Sequence, residues 1–242
     1  MKLKHLLIIL LPFFLSACSS QSFELTGKLK NSQEQMVYLI RFTLEGMHPS
    51  VVDSVKIDES GEFKMSPTIK ETELFCLKVR GIKSRDFVLF FFEPNQKVTV
   101  TADVKDFNNS YTVEGSPDSK LYWEFARKQS LYLKKKDGLL NTVFEEKDAI
   151  VRDKASDDLT VVTTEYYNYL ITFLKTNSSS LVSPFVFLEL EHLRNGINDP
   201  ELLVIISKID SDISKKYPNT PWVKLTHSVL EKFKRSSKNK NT

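Results

Sequence analysis

The chain is poor in the residues that most often announce an activity. It has two cysteines, seven glycines and four histidines in 242 residues. The cysteines, Cys18 and Cys76, form no Cys-x-x-Cys pair. A dithiol exchanger needs one thiol to attack and a second to resolve the mixed disulfide, so the chain cannot complete that cycle alone. Exported proteins often staple themselves with disulfides; here an ordinary apolar core must supply the stability. Seven scattered glycines leave little material for a phosphate-cradling loop or a dinucleotide fingerprint, and no Gly-x-Ser-x-Gly elbow is present. His48, His192 and His227 are the histidines beyond the first turn of sequence. Glu189-x-x-His192 has the helical spacing of di-iron bundles, but those sites need a second such pair and two further Glu on facing helices. His192 is therefore expected on a helix surface, His48 in a loop beside Pro49, and His227 on the polar side of the last helix. No metal or other cofactor is expected.

Excess charge of one sign is also missing. The formal net charge is +3. With Lys2 and Lys4 set aside the remainder carries +1, and segment 231–242 holds +4 of it, from five basic residues against Glu231. That leaves −3 on residues 18–230, which offers no basic face for a nucleic-acid reader. A run long enough to cross a bilayer, ~20 apolar residues, is absent too: the stretch Leu6 to Leu15 is shorter and Pro12 interrupts it.

What that stretch does form is a leader. Lys2 and Lys4 precede a short apolar segment, and Leu15-Ser16-Ala17-Cys18 closes it. A positive start, an apolar middle and a small-residue cleavage site make a secretory signal. A Cys at the first position past the cleavage site makes it a lipoprotein signal, its thiol taking the diacylglyceryl group. Residues 1–17 are expected to be the signal peptide and Cys18 the lipid attachment site, with 18–21 a short linker. Several acyl chains on one residue hold a protein to a membrane firmly.

Past the leader the pattern changes once, near residue 115. Before it, short runs alternate in polarity: Phe23-Leu25-Gly27, Met36 to Ile40, Val51 to Ile57, Phe63-Met65, Phe75-Leu77-Val79 and Val98-Val100-Ala102. Asp58-Glu59-Ser60-Gly61 and Glu93-Pro94-Asn95-Gln96 separate them as turns. Phe87 to Phe92 is apolar without interruption, the pattern of a strand buried on both faces. Many short strands with frequent turns indicate a sandwich or small barrel. After Gly115 the period lengthens. Ser116 can cap a helix whose first residue is Pro117, and Leu121, Trp123, Phe125, Leu131 and Leu133 fall on helical faces. A second helix is expected over 156–175, with Val162, Tyr166, Tyr169, Leu170 and Phe173 on one side. Asn177 to Ser180 is a break, and a third helix runs to about Arg194 and stops at Asn195-Gly196. Asp199-Pro200 opens a fourth and Thr220-Pro221 a last, with Tyr217-Pro218-Asn219 between them.

The fold class this predicts is α+β: an antiparallel β-sandwich-like domain over 22–115, an α-helical region over 116–235, and a disordered basic tail over 236–242. Phe87 to Phe92 is the expected seam between the two parts.

Several stretches resemble a known family. Phe23-Glu24-Leu25-Thr26-Gly27, Asp53-Ser54-Val55-Lys56-Ile57, Gly61-Glu62-Phe63, Phe92-Glu93-Pro94 before Val98-Thr99-Val100, and Val113-Glu114-Gly115-Ser116 are similar to an N-terminal domain of unknown function, family 4369. Phe173 to Asn177, Ser183 to Val186 and Lys216 to Trp222 resemble the helical linker of thiol:disulfide interchange (thioredoxin-like) lipoproteins that carry that domain. The resemblance implies a thioredoxin domain with a Trp-Cys-x-x-Cys motif where this chain stops. That motif is absent, so the exchange activity is not carried over with the likeness.

Few residues then remain as candidates. If Phe75, Leu77 and Val79 point inward, Cys76 shares the other face with Lys78, and a nearby cation would favour its thiolate; a small inert residue on a covered strand is the plainer alternative. Glu145-Glu146 and Asp157-Asp158 fall on solvated helix faces. Tyr166, Tyr167 and Tyr169 cannot all face one way on a helix, which leaves one free for a sugar or peptide. The function expected is a non-catalytic, lipid-anchored cell-envelope protein acting as a binding or scaffolding module. Its anchor would sit in a bacterial membrane, the outer one with a periplasmic orientation. Its partners would be that membrane through Cys18 and an envelope protein or glycan. A redox accessory acting through Cys76, and a glycan or small-molecule binder with a groove between sandwich and helices, are the alternatives.

Overall fold

A computed structural model of the chain describes residues 21–32, 34–44, 49–82, 87–193 and 200–238. The expected leader, Cys18, His48, Asn195-Gly196 and Asp199 lie outside the described residues. Ten strands occupy the first part: β1 (Gln21–Ser22), β2 (Glu24–Lys30), β3 (Met36–Phe42), β4 (Pro49–Lys56), β5 (Glu62–Met65), β6 (Thr68–Ile69), β7 (Glu73–Val79), β8 (Val88–Phe92), β9 (Lys97–Asp103) and β10 (Thr112–Glu114). A short helix α1 (Phe107–Ser110) lies between the last two. Five helices follow: α2 (Pro117–Glu145), α3 (Ala149–Thr176), α4 (Ser183–Leu193), α5 (Pro200–Lys216) and α6 (Pro221–Lys238).

The strands form two four-stranded sheets, ordered β10-β9-β2-β5 and β4-β3-β7-β8, with β1 and β6 as a small extra pair. The second large sheet is antiparallel throughout, but in the first β2 and β9 run parallel, in register from Glu24 opposite Lys97 to Lys30 opposite Asp103. The sandwich is thus antiparallel-rich rather than purely antiparallel. Alternation along each strand sends one set of side chains inward. Leu25, Leu29, Met65, Val98, Val100 and Val113 from one sheet meet Val37, Leu39, Phe75, Leu77, Phe90 and Phe92 from the other in one buried cluster. The turns that were legible as residue patterns have local causes. The Asp58 carboxylate accepts from the Ser60 and Glu62 N–H groups, at 2.9 and 2.8 Å, and Gly61 follows at φ +82°. Those bonds, the Ser60 hydroxyl foremost, hold the Asp58 carboxyl below its usual range.

A second buried cluster belongs to the helices and reaches onto the sheet. Leu74 of β7 and Phe91 of β8 join Phe125, Leu170, Val186, Phe187, Ile206, Ile209 and Trp222 in it. β7 and β8 are therefore covered on both faces, the sandwich core on one side and the helical core on the other. The expected seam is found there, one residue shorter: Phe87 precedes the strand and is 40% exposed.

α2 and α3 form a long hairpin. Their 29 and 28 residues correspond to ~43 Å at 1.5 Å per residue. Near the sandwich, Tyr132 stacks on Tyr166 with centroids 4.0 Å apart. Farther out, from 133 to 161, Ala155 is the only buried residue. Leu131 and Leu133, read as falling on helical faces, are 67% and 40% exposed, and Phe144 and Ile150 at the far end are 80% and 81% exposed. α3 begins at Ala149 rather than 156, because Asp148 caps it by accepting from the Ile150 N–H at 2.8 Å. α6 runs on to Lys238, three residues into the segment expected as a tail.

Candidate functional site at the junction of sandwich and helices

β8 and β10 are edge strands of opposite sheets, and the start of α2 passes beside both. An edge strand carries backbone groups with no neighbouring strand to pair them. At β8 two serines supply the missing partners. Ser116 Oγ donates to the Phe91 carbonyl at 2.7 Å, and Ser119 Oγ accepts from the Phe91 N–H at 2.9 Å. The two hydroxyls also lie 2.7 Å apart. Ser116 is at the same time the cap of α2, accepting from the Ser119 N–H at 3.3 Å. The i, i+3 spacing of a helix start puts both hydroxyls on one side, so a single turn caps itself and closes the sheet edge.

Asp118, one residue between them, turns the other way and is 7% exposed. It accepts from Ser180 Oγ at 2.6 Å and from the Tyr217 hydroxyl at 3.3 Å. That hydroxyl also lies 3.2 Å from Glu93 Oε1. Burial, then the two carboxylates, push the Tyr217 phenol well above its usual range. On the same side Trp222 Nε1 donates to the Thr72 carbonyl at 2.7 Å. These bonds lock α2, the 177–182 connection, the end of α5 and the start of α6 onto the sandwich.

At β10 the same helix leaves a groove of about 660 Å³, lined by Thr112 to Pro117, Lys120 and Trp123. Gly115 makes its corner, at φ +86°. A Cβ there would stand 1.9 Å from the Lys97 carbonyl oxygen, so no side chain fits at the turn from strand into helix. Trp123 forms the wall. Its Nε1 donates to the Tyr111 carbonyl at 2.7 Å, and the Arg127 guanidinium lies 4.9 Å from its ring centre while donating to the Asn109 carbonyl at 3.0 Å. A second, smaller hollow of about 250 Å³ is bordered by Phe87, Asn108, Tyr122 and Arg127 among others.

The residues singled out in the sequence fall elsewhere. Cys76 is on the outer face of β7, opposite Ile40 and Leu89, and 3% exposed. Burial pushes its thiol up to about 12, outweighing the opposite pull of Lys78; the cation expected to favour a thiolate is present but insufficient. His192 is exposed, and His227 is exposed with Nδ1 3.6 Å from Asp210. Among the described residues no group of three or more His, Cys, Asp or Glu could hold a metal. Tyr166 is buried and Tyr167 and Tyr169 are half-buried, so none stands free. Sequence reading caught Ser116 and Pro117 but missed Ser119, Lys120 and Trp123 as neighbours of the sheet edges. Their period is that of any helix, and only the fold brings them to β8 and β10.

The architecture defines a class: an antiparallel-rich two-sheet domain whose open side is closed by the first turn of a helical appendage. Residues 23–122 match the family model described as Domain of unknown function (DUF4369), and that segment is a domain of this family. It includes both serines, Asp118 and Lys120, and stops one residue short of Trp123. No thioredoxin domain is shown. Among solved structures, one similar chain is that of a crystal structure of (S)-allantoin synthase, 10% identical, covering 40% of this chain and 44% of that one, with a TM-score of 0.28. This chain thus spans less than half of that protein's length, and the likeness carries no argument. No curated protein matches the chain.

Proposed function

We propose that the protein is a non-catalytic binding module of the cell envelope, held to a membrane by lipidated Cys18, with its binding surface in the valley between the sandwich and α2. The observation that carries this reading is the groove of about 660 Å³ walled by Trp123 and Lys120. Ligand sites favour such junctions and combine aromatic surface with a few placed polar groups. The serine bonds to Phe91 make one wall rigid, and a site held by the scaffold loses little order on binding. The anchoring half of the proposal rests on Lys2, Lys4 and Leu15-Ser16-Ala17-Cys18. Among the described residues no helix is long and apolar enough to cross a membrane. The orientation proposed is the periplasmic side of an outer membrane, since Ser19-Ser20-Gln21-Ser22-Phe23 carries no acidic run.

Mass spectrometry of the native protein tests the anchor: a triacylated or diacylated Cys18 start supports it, and an intact leader or bare start overturns it. Thermal shift with a panel of envelope oligosaccharides and peptides tests the groove, because a bound ligand raises the apparent melting temperature by mass action. A stabilising ligand whose effect disappears in Trp123→Ala supports the reading. A glycan held in the second hollow, where aromatic rings, two Asn and Arg127 stand together, is the alternative reading. Scaffolding of a second envelope protein is the other form the same surface can serve. Burial of Cys76 works against the redox-accessory alternative; rapid alkylation of that thiol in the folded protein would restore it.

A further inference from the structure

The β10 groove lies along a sheet edge. Thr112, Val113 and Glu114, the three residues of the strand, all line it. Side chains of a strand alternate between faces, so three consecutive lining residues place the groove along the strand's border rather than on one of its faces. β10 has β9 on one side and no strand on the other. In an antiparallel pair alternate residues turn both their N–H and C=O away from the partner. With three residues, Thr112, Val113 and Glu114, at least one such donor and acceptor pair faces the groove. A flat apolar ligand or a sugar ring leaves these unmatched in geometry, whereas a second backbone matches them. The length fits as well: a short edge gives few bonds, and the wall must add side-chain contacts. Trp123 offers the aromatic surface, and exposed Lys120 and Glu114 offer one charge of each sign.

The geometry points to an extended polypeptide as the ligand of this groove, added to β10 as a further strand, with an acidic side chain set against Lys120 and a basic one against Glu114. The partner is a protein that presents an extended segment carrying both charges. This rests on the junction being the binding surface and names what it binds. Main-chain bonds of this kind supply affinity while pockets for alternate side chains supply selectivity.

The experiment uses the full chain in detergent micelles and a phage-displayed library of linear dodecapeptides. The expected result is enrichment of sequences with alternating polarity that carry an acidic and a basic residue. The strongest is then synthesised in two N-methylated forms, one blocked at odd amides and one at even amides, and titrated by fluorescence anisotropy. Strand addition predicts that one form loses about tenfold or more in affinity while the other stays within about twofold. Lys120→Glu is expected to weaken the acidic peptide by about tenfold. Equal effects of both N-methylated forms overturn strand addition without touching the protein's fold. Chitohexaose and maltohexaose are titrated alongside. An oligosaccharide that binds at Trp123 where no peptide does overturns this inference and leaves the groove as a binding site. No binding by either class overturns both.

Discussion

β8 and β10 pose the same physical problem and meet the same turn of helix, yet end differently. At β8 the Phe91 backbone is bonded to two serine hydroxyls and the helical core covers the strand. At β10 the helix stands off, and Lys120 and Trp123 wall a groove instead. The difference lies in reach and chemistry. A serine hydroxyl is short and can both donate and accept, so it mimics a neighbouring strand at close quarters. Trp123 is long and carries a single donor, already given to Tyr111. The lesson is that one helix can close one sheet edge and keep another open by the choice of three or four residues in its first two turns.

The contrast can be broken from either side. Phe91→Ala removes the ring shared by strand and helical core and is expected to cost about 4 kcal/mol, measured by urea unfolding. Gly115→Ala puts a Cβ against the Lys97 carbonyl at a positive φ, and about 3 kcal/mol is expected from strain and displacement. It should also disturb the groove, which a loss of ligand-induced thermal shift would register. The double substitution Ser116→Ala, Ser119→Ala leaves the buried Phe91 N–H and C=O unmatched and is expected to cost about 2 kcal/mol, with the two single changes adding up to more than the double because either one already breaks the bond between the hydroxyls. Lys120→Ala, exposed at the open edge, is expected to change stability by less than about 0.5 kcal/mol. A large loss there would mean that Lys120 holds the fold together and that the two edges are less different than the bonds indicate.

Much of the sandwich could be read from the chain because its signals are local. Phe23-Leu25-Gly27 and Phe75-Leu77-Val79 alternate as inward faces must, and the uninterrupted Phe87 to Phe92 run foretold a strand between two cores. Ser116-Pro117 was equally plain as a helix start. The parallel pairing of β2 with β9 was not, since it joins segments some seventy residues apart and leaves no local trace. The start of α3 was missed because the α2–α3 turn has neither Gly nor Pro; Glu146 and Asp148 make it by accepting backbone N–H bonds. Of the candidate site, the capping serine was visible, and a groove between sandwich and helices was expected only as an alternative, without the residues that line it. Lys120 and Trp123 carry no pattern beyond helical spacing, and Cys76 drew notice through its rarity while the fold had already sealed it.

The α2–α3 hairpin has a mechanical consequence. Beyond Tyr132 its two helices share one buried residue, Ala155, and a few partly buried ones such as Leu139, so its outer half is expected to open without disturbing the sandwich core. Amide exchange should run as a gradient along its length, fastest around 145–149 and slowest where Phe125 and Leu170 are anchored. A protease meeting the folded molecule would cut that outer end first and leave two pieces that stay together.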